Sequence, residues 1–97
     1  MGTYISLLHF TDQGIRTVKE SPTRVEAAKK AFQAAGGEMK AFYLAMGRYD
    51  MVVVSEAPDD ETVARISLGL GALGNVRTET MRVFPETEYR KIVASLK

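Results

Sequence analysis

Apolar positions recur along the chain with two different periods. In Thr3–Phe10, TYISLLHF, Ile5 and Leu7 alternate with Tyr4, Leu8 and Phe10, and aromatic and β-branched residues dominate. A period of two in such a run predicts a strand. Thr11-Asp12-Gln13-Gly14 then reads as a turn or a short helical stretch ending near Glu20. At Ser21-Pro22 the period changes. Proline needs no donor at the first helical position, serine can accept from an orphan N–H, and Val25, Ala28, Phe32 and Ala35 fall on one helical stripe until Gly36-Gly37. Two further strands are predicted, Glu38–Met46 and Asp50–Ala57, joined by a hairpin turn at Gly47-Arg48-Tyr49-Asp50. Pro58-Asp59 caps a second helix, whose stripe is Val63, Ile66, Leu70 and Leu73, stopped by Gly74-Asn75. A fourth strand, Val76–Phe84, follows. Pro85 opens a last helix carrying Tyr89, Ile92, Val93 and Leu96.

The order β-α-β-β-α-β with a terminal helix, joined by right-handed crossovers, predicts an α+β ferredoxin-like sandwich. The expected strand order is 4-1-3-2, with the first two helices on one face of an antiparallel sheet and residues 1–97 forming one domain. Both faces of that sheet are apolar: Met39, Ala41 and Tyr43 alternate with Phe42, Leu44 and Met46, and Met51 and Val53 with Val52 and Val54. Two helices cover one face only. Monomers rarely leave hundreds of Å² of apolar sheet in water, so a cover is required. One short terminal helix is too narrow for four strands. The expectation is a homodimer or higher oligomer in which a second copy closes an α+β barrel.

Composition narrows the function classes. The chain has 97 residues, 45% of them hydrophobic and 26% charged, which is ordinary globular composition. With no cysteine, disulfides, thiolate metal sites and cysteine nucleophiles are excluded. A net charge of +1 makes no electrostatic case for nucleic acid or an anionic membrane. The sequence shows no apolar run of spanning length and no signal-peptide pattern, so the reading is a soluble cytoplasmic protein.

Candidate chemistry is sparse. Gly69-Leu70-Gly71-Ala72-Leu73-Gly74 matches G-x-G-x-x-G, but the glycines fall late in a helix, where N–H groups are already bonded. They are read as close-packing positions at Gly69 and Gly71 and a helix stop at Gly74, with no nucleotide. His9, the single histidine, lies in phase with Ile5 and Leu7. It is either a base inside a barrel cavity or a histidine satisfied by one neighbour. The Gly47-Arg48-Tyr49-Asp50 turn carries a cation, a phenol and a carboxylate, more than a hairpin needs. Against that, Asp50 can simply accept from local N–H groups. Thr78, Glu79 and Thr80 on the fourth strand, and Tyr43 on the second, are polar groups that could line a pocket, although threonine is also simply a good strand former. No metal cluster and no cofactor are expected.

The segments Gly47-Arg48-Tyr49-Asp50-Met51-Val52, Phe10-Thr11-Asp12-Gln13-Gly14-Ile15, Glu56-Ala57-Pro58-Asp59-Asp60 and Ala72-Leu73-Gly74-Asn75-Val76-Arg77-Thr78-Glu79-Thr80 resemble the GYD-domain family of small bacterial and archaeal proteins. The likeness covers essentially the whole chain, with Gly47, Tyr49 and Asp50 matching the residues of the family name. It implies a dimeric α+β barrel and fixes no chemistry. A more partial resemblance runs to the effector-binding domain of leucine-responsive-type regulators. It rests on the G-x-x-D turn at Gly47 and Asp50 and on Gly74 followed by Thr78 and Thr80. That resemblance implies small-molecule pockets between subunits near the turn. The chain lacks a preceding helix-turn-helix, so it does not imply DNA binding. A likeness to cofactor-free monooxygenases and stress-related barrels rests on fold and one histidine.

The sequence therefore reads as a non-catalytic, homo-oligomeric module holding a small metabolite at Gly47, Tyr49, Asp50, Tyr43, Thr78 and Thr80. The alternatives are a cofactor-free or haem-associated barrel enzyme using His9, and a purely structural oligomerisation domain.

Overall fold

The computed structural model describes residues 1–97. Its elements are β1 (Gly2–Phe10), α1 (Asp12–Arg16), a 3₁₀ turn (Val18–Glu20), α2 (Ser21–Ala34), β2 (Glu38–Leu44), β3 (Met51–Ala57), α3 (Asp60–Ala72), β4 (Val76–Val83) and α4 (Glu86–Ala94). One antiparallel sheet has the order β2-β3-β1-β4, as the alternation and crossovers predict. The architecture is a ferredoxin-like α+β sandwich.

Local chemistry explains most boundaries. Thr11 caps α1 by accepting from the Gly14 N–H at 3.0 Å. Asp59 caps α3, accepting from the Thr62 N–H at 2.8 Å and the Thr62 hydroxyl at 2.7 Å. Those bonds hold its carboxyl below the usual 3.8. Gly36 and Gly74 end α2 and the α3 segment with positive φ, as expected of helix stops. Ser21 differs from expectation. It is already helical, because the 3₁₀ turn runs directly into α2, and no side chain caps that end.

α2 and α3 cover one face. Tyr4 and Ala57 of the sheet form one buried cluster with Val63 of α3, and Leu8, Met51 and Val53 form another. A polar band separates the two: Ser6 and Thr80 share a hydroxyl hydrogen bond of 2.8 Å, and Ser55 is fully buried. Strand β2 departs from strict alternation. Its pairing with β3 shifts between Met39 and Ala41, an irregularity centred on Lys40. Met39 opposite Ser55 and Phe42 opposite Val53 then both face the helices, whereas the sequence placed Met39 in phase with Ala41 and Tyr43. One extra residue in a strand reverses the phase of everything before it.

Only 12 of the 97 residues are buried, because the other face has no cover within the chain. α4 does not pack on it. Tyr89, Ile92, Val93 and Leu96, its apolar stripe, are all exposed, with Leu96 at 72%. No helix is long and apolar enough to cross a membrane.

Candidate functional site

The strand register lays the open face out in rows. One row is Ala41, Val54, Ile5 and Met81; the next is Tyr43, Val52, Leu7 and Glu79. The apolar block is flanked by charge at both ends. At one end Lys40 pairs with Glu38 at 3.1 Å and Glu56 at 4.0 Å. At the other end, His9 sits opposite Arg77, and Tyr49 comes down from the loop after β2.

This second end gathers the candidate chemistry. The Tyr49 ring lies against His9, with centroids 4.8 Å apart and planes tilted by 37°. Its hydroxyl donates to Glu79 Oε2 at 2.5 Å. That hydrogen bond, with partial burial and the Glu79 charge, raises the Tyr49 phenol above its ordinary 10.0, against a smaller opposing effect of Arg48. At neutral pH Tyr49 is therefore a proton donor engaged with a carboxylate, not a base. The site can present a histidine ring edge, a phenol, a carboxylate and the guanidinium of Arg77 to a polar group.

Three sequence segments converge beside this site, mainly as backbone latches. The loop between β2 and β3 covers residues 45–50, longer than the four-residue turn expected, and Gly47 takes φ +122°, a conformation glycine adopts without penalty. Asp50 accepts from the Phe10 N–H at 2.9 Å through Oδ2, while its own N–H donates to the Leu8 carbonyl at 2.9 Å. β1 runs on past the end of β3, and the Asp50 carboxylate supplies the acceptor the missing strand would have provided. The bond spans forty positions, so Asp50 is a long-range acceptor and not the local turn acceptor the sequence allowed. Nearby, the Thr11 hydroxyl donates to the Gly74 carbonyl at 2.5 Å and the Thr11 N–H to the Asn75 carbonyl at 3.1 Å. A Cβ on Gly14 would lie 1.9 Å from that Asn75 oxygen, so only glycine fits there.

The other candidates separate. Tyr43 is on the open face, 60% exposed, in the row that ends at Glu79. Thr78 and Thr80 lie on the opposite, helix-covered side, in phase with Val76 and Arg82. Thr80 is bonded to Ser6 and lies 3.5 Å from the Ser67 hydroxyl. Glu79, read with these threonines as a possible pocket-lining residue, parts from them in the structure. It stands between the two threonines, on the other face, and its link to Tyr49 spans thirty positions. Gly69 and Gly71 also differ from expectation: a Cβ at either meets nothing within 4 Å, so neither is a close-packing position.

A solved structure of FFRP-DM1 superposes with a TM-score of 0.58 at 21% identity, over 87% of this chain and all of that one. It supports the fold. The crystal structure of TTHA0845 from Thermus thermophilus gives a TM-score of 0.54 at 25% identity, covering 88% of this chain and 95% of that one. A curated Thermus thermophilus protein named glutamine synthetase and cystathionine beta-lyase binding protein is 36% identical over 98 residues, covering 100% of both chains. The GYD domain model matches residues 4–93, which takes in the Gly14–Asn75 junction, the Tyr49 loop and all four strands, so the chain belongs to the GYD-domain family.

Proposed function

We propose that this chain is a cytoplasmic, self-associating binding module that docks on enzymes of amino-acid metabolism and takes a small polar metabolite at the rim of its pairing surface. The observation that carries the reading is the uncovered apolar sheet face, with Ile5, Leu7, Val52 and Val54 at its centre and α4 standing away from it. Two such faces packed together close an α+β barrel, and the exposed stripe of α4 gains a partner. The charged rows at the two ends then become the rim of the interface, and His9, Tyr49, Glu79 and Arg77 stand where a metabolite could report on assembly. The likeness to a relative named for binding glutamine synthetase and cystathionine beta-lyase supports protein partners of that kind.

Sedimentation equilibrium at micromolar concentration tests the association. The expected result is a mass of twice 10.7 kDa or a higher multiple, since a barrel interface should bury at least about 1,200 Å². A capture experiment with purified glutamine synthetase and cystathionine beta-lyase tests the docking. A single-chain mass throughout, with neither enzyme retained, would overturn the reading.

A further inference from the structure

On the helix-covered side of the sheet, away from the Tyr49 site, α2 and α3 leave a cleft of about 370 Å³ between them. Its cause is the choice of side chains. The walls carry Ala28 and Ala31 on α2 and Ser67 and Gly69 on α3, residues too small to fill the space between two helices. The floor is apolar, with Leu8, Phe42, Met51 and Val53. The volume lies in the range of small-molecule sites, and the lining has the usual character of one: mostly apolar, with a few polar groups gathered in place.

Those polar groups include a cation at one end. Arg24 lines the cleft together with Ser21 and Asn75. Its guanidinium donates to the Thr17 hydroxyl at 3.0 Å and the Gly14 carbonyl at 3.1 Å, both neutral acceptors. Glu20 lines the adjoining polar depression, yet no carboxylate comes within 4.0 Å of the Arg24 nitrogens. Arg24 is thus held in place by two bonds, with donors to spare and its charge unpaired, at the end of an apolar slot.

We propose that this cleft binds an apolar monocarboxylate, its carboxylate on Arg24 and its tail between α2 and α3 over Leu8 and Met51. The site is independent of the sheet-face pairing and of the Tyr49 cluster. An apolar tail gains from burial in the slot, and a carboxylate supplies the partner Arg24 lacks.

The test is calorimetric titration of the purified full chain with octanoate, 3-phenylpropanoate and, as a neutral control of equal chain length, octanol. At least one acid is expected to bind saturably, and about tenfold or more tighter than octanol, as expected when a charge-assisted pair is added to the same apolar contact. Whichever acid binds tighter names the tail as chain or ring. Arg24→Gln should abolish the preference while leaving octanol affinity unchanged. Amide chemical-shift changes should centre on Ala28, Phe32 and Ser67, not on His9 and Tyr49. The proposal is overturned if neither acid binds up to about 1 mM, if Arg24→Gln keeps the preference, or if the shifts fall on the open sheet face. None of these outcomes depends on whether the chain self-associates.

Discussion

Tyr4, Leu8, Met51 and Val53 are buried under α2 and α3, while Ile5, Leu7, Val52 and Val54, the residues alternating with them on the same two strands, stay half-buried on the far side. The two sets do not differ in hydrophobicity. They differ in what lies over them. On the helix side, cover comes from within the chain, so those residues stabilise the protomer. On the open side, the same kind of residue contributes little until something docks. The comparison teaches that an apolar strand face reports a need for cover but not its source.

The sharpest way to break that contrast is one substitution on each face. Phe32→Ala, on α2 where it packs on the covered face and 4% exposed, is expected to lower unfolding free energy by about 3–5 kcal/mol in urea denaturation. Val54→Lys, at the centre of the open face, is expected to change protomer stability far less and to drive the sedimenting species toward a single chain. Denaturation must be compared at matched protein concentration, because association adds apparent stability. Equal destabilisation by the two, with unchanged mass, would erase the distinction.

The next contrast is within the loop beside the open face. Asp50→Ala removes a charge-assisted bond to the Phe10 N–H and should cost about 1.5–3 kcal/mol. Asp50→Asn keeps an acceptor and should cost clearly less, as read by thermal melts. If both variants melt like the unaltered chain, the latch is not formed in solution.

Ionisation of Tyr49 sharpens the picture of the rim. Its folded value lies above 10.0, so the neutral phenol is favoured by folding. The stabilisation this gives is complete below pH 10 and is lost as pH rises through the folded value. Glu79→Gln removes the carboxylate charge, and the Tyr49 transition followed by phenolate absorbance should move down toward 10. An unmoved transition would remove Glu79 from the site. The smallest effect expected is a gain. Gly71→Ala meets open space on α3 and should add about 0.5–1 kcal/mol through helix propensity, the opposite sign to the close packing expected of that glycine from the sequence.

Much of this molecule was legible in its residues. Alternation in β1 and β3, the helical stripes of α2 and α3, and the stops at Gly36 and Gly74 are local properties, so the element order and sheet order follow from the chain. The phase of His9 with Ile5 and Leu7 was readable for the same reason, whereas only the packing of α2 and α3 decided that this is the open face. What stayed hidden depends on residues distant in sequence. Nothing local announces that Asp50 completes the end of β1, that Tyr49 reaches Glu79, or that Gly14 must admit the Asn75 carbonyl. The shift at Lys40 reverses Met39 because register is set by pairing with β3, not by composition. The terminal helix has a clear apolar stripe, yet only the tertiary structure decides that this stripe finds no surface in its own chain. Periodicity determines which side of an element seeks burial; which partner arrives there is decided by the packing of elements brought together from opposite ends of the sequence.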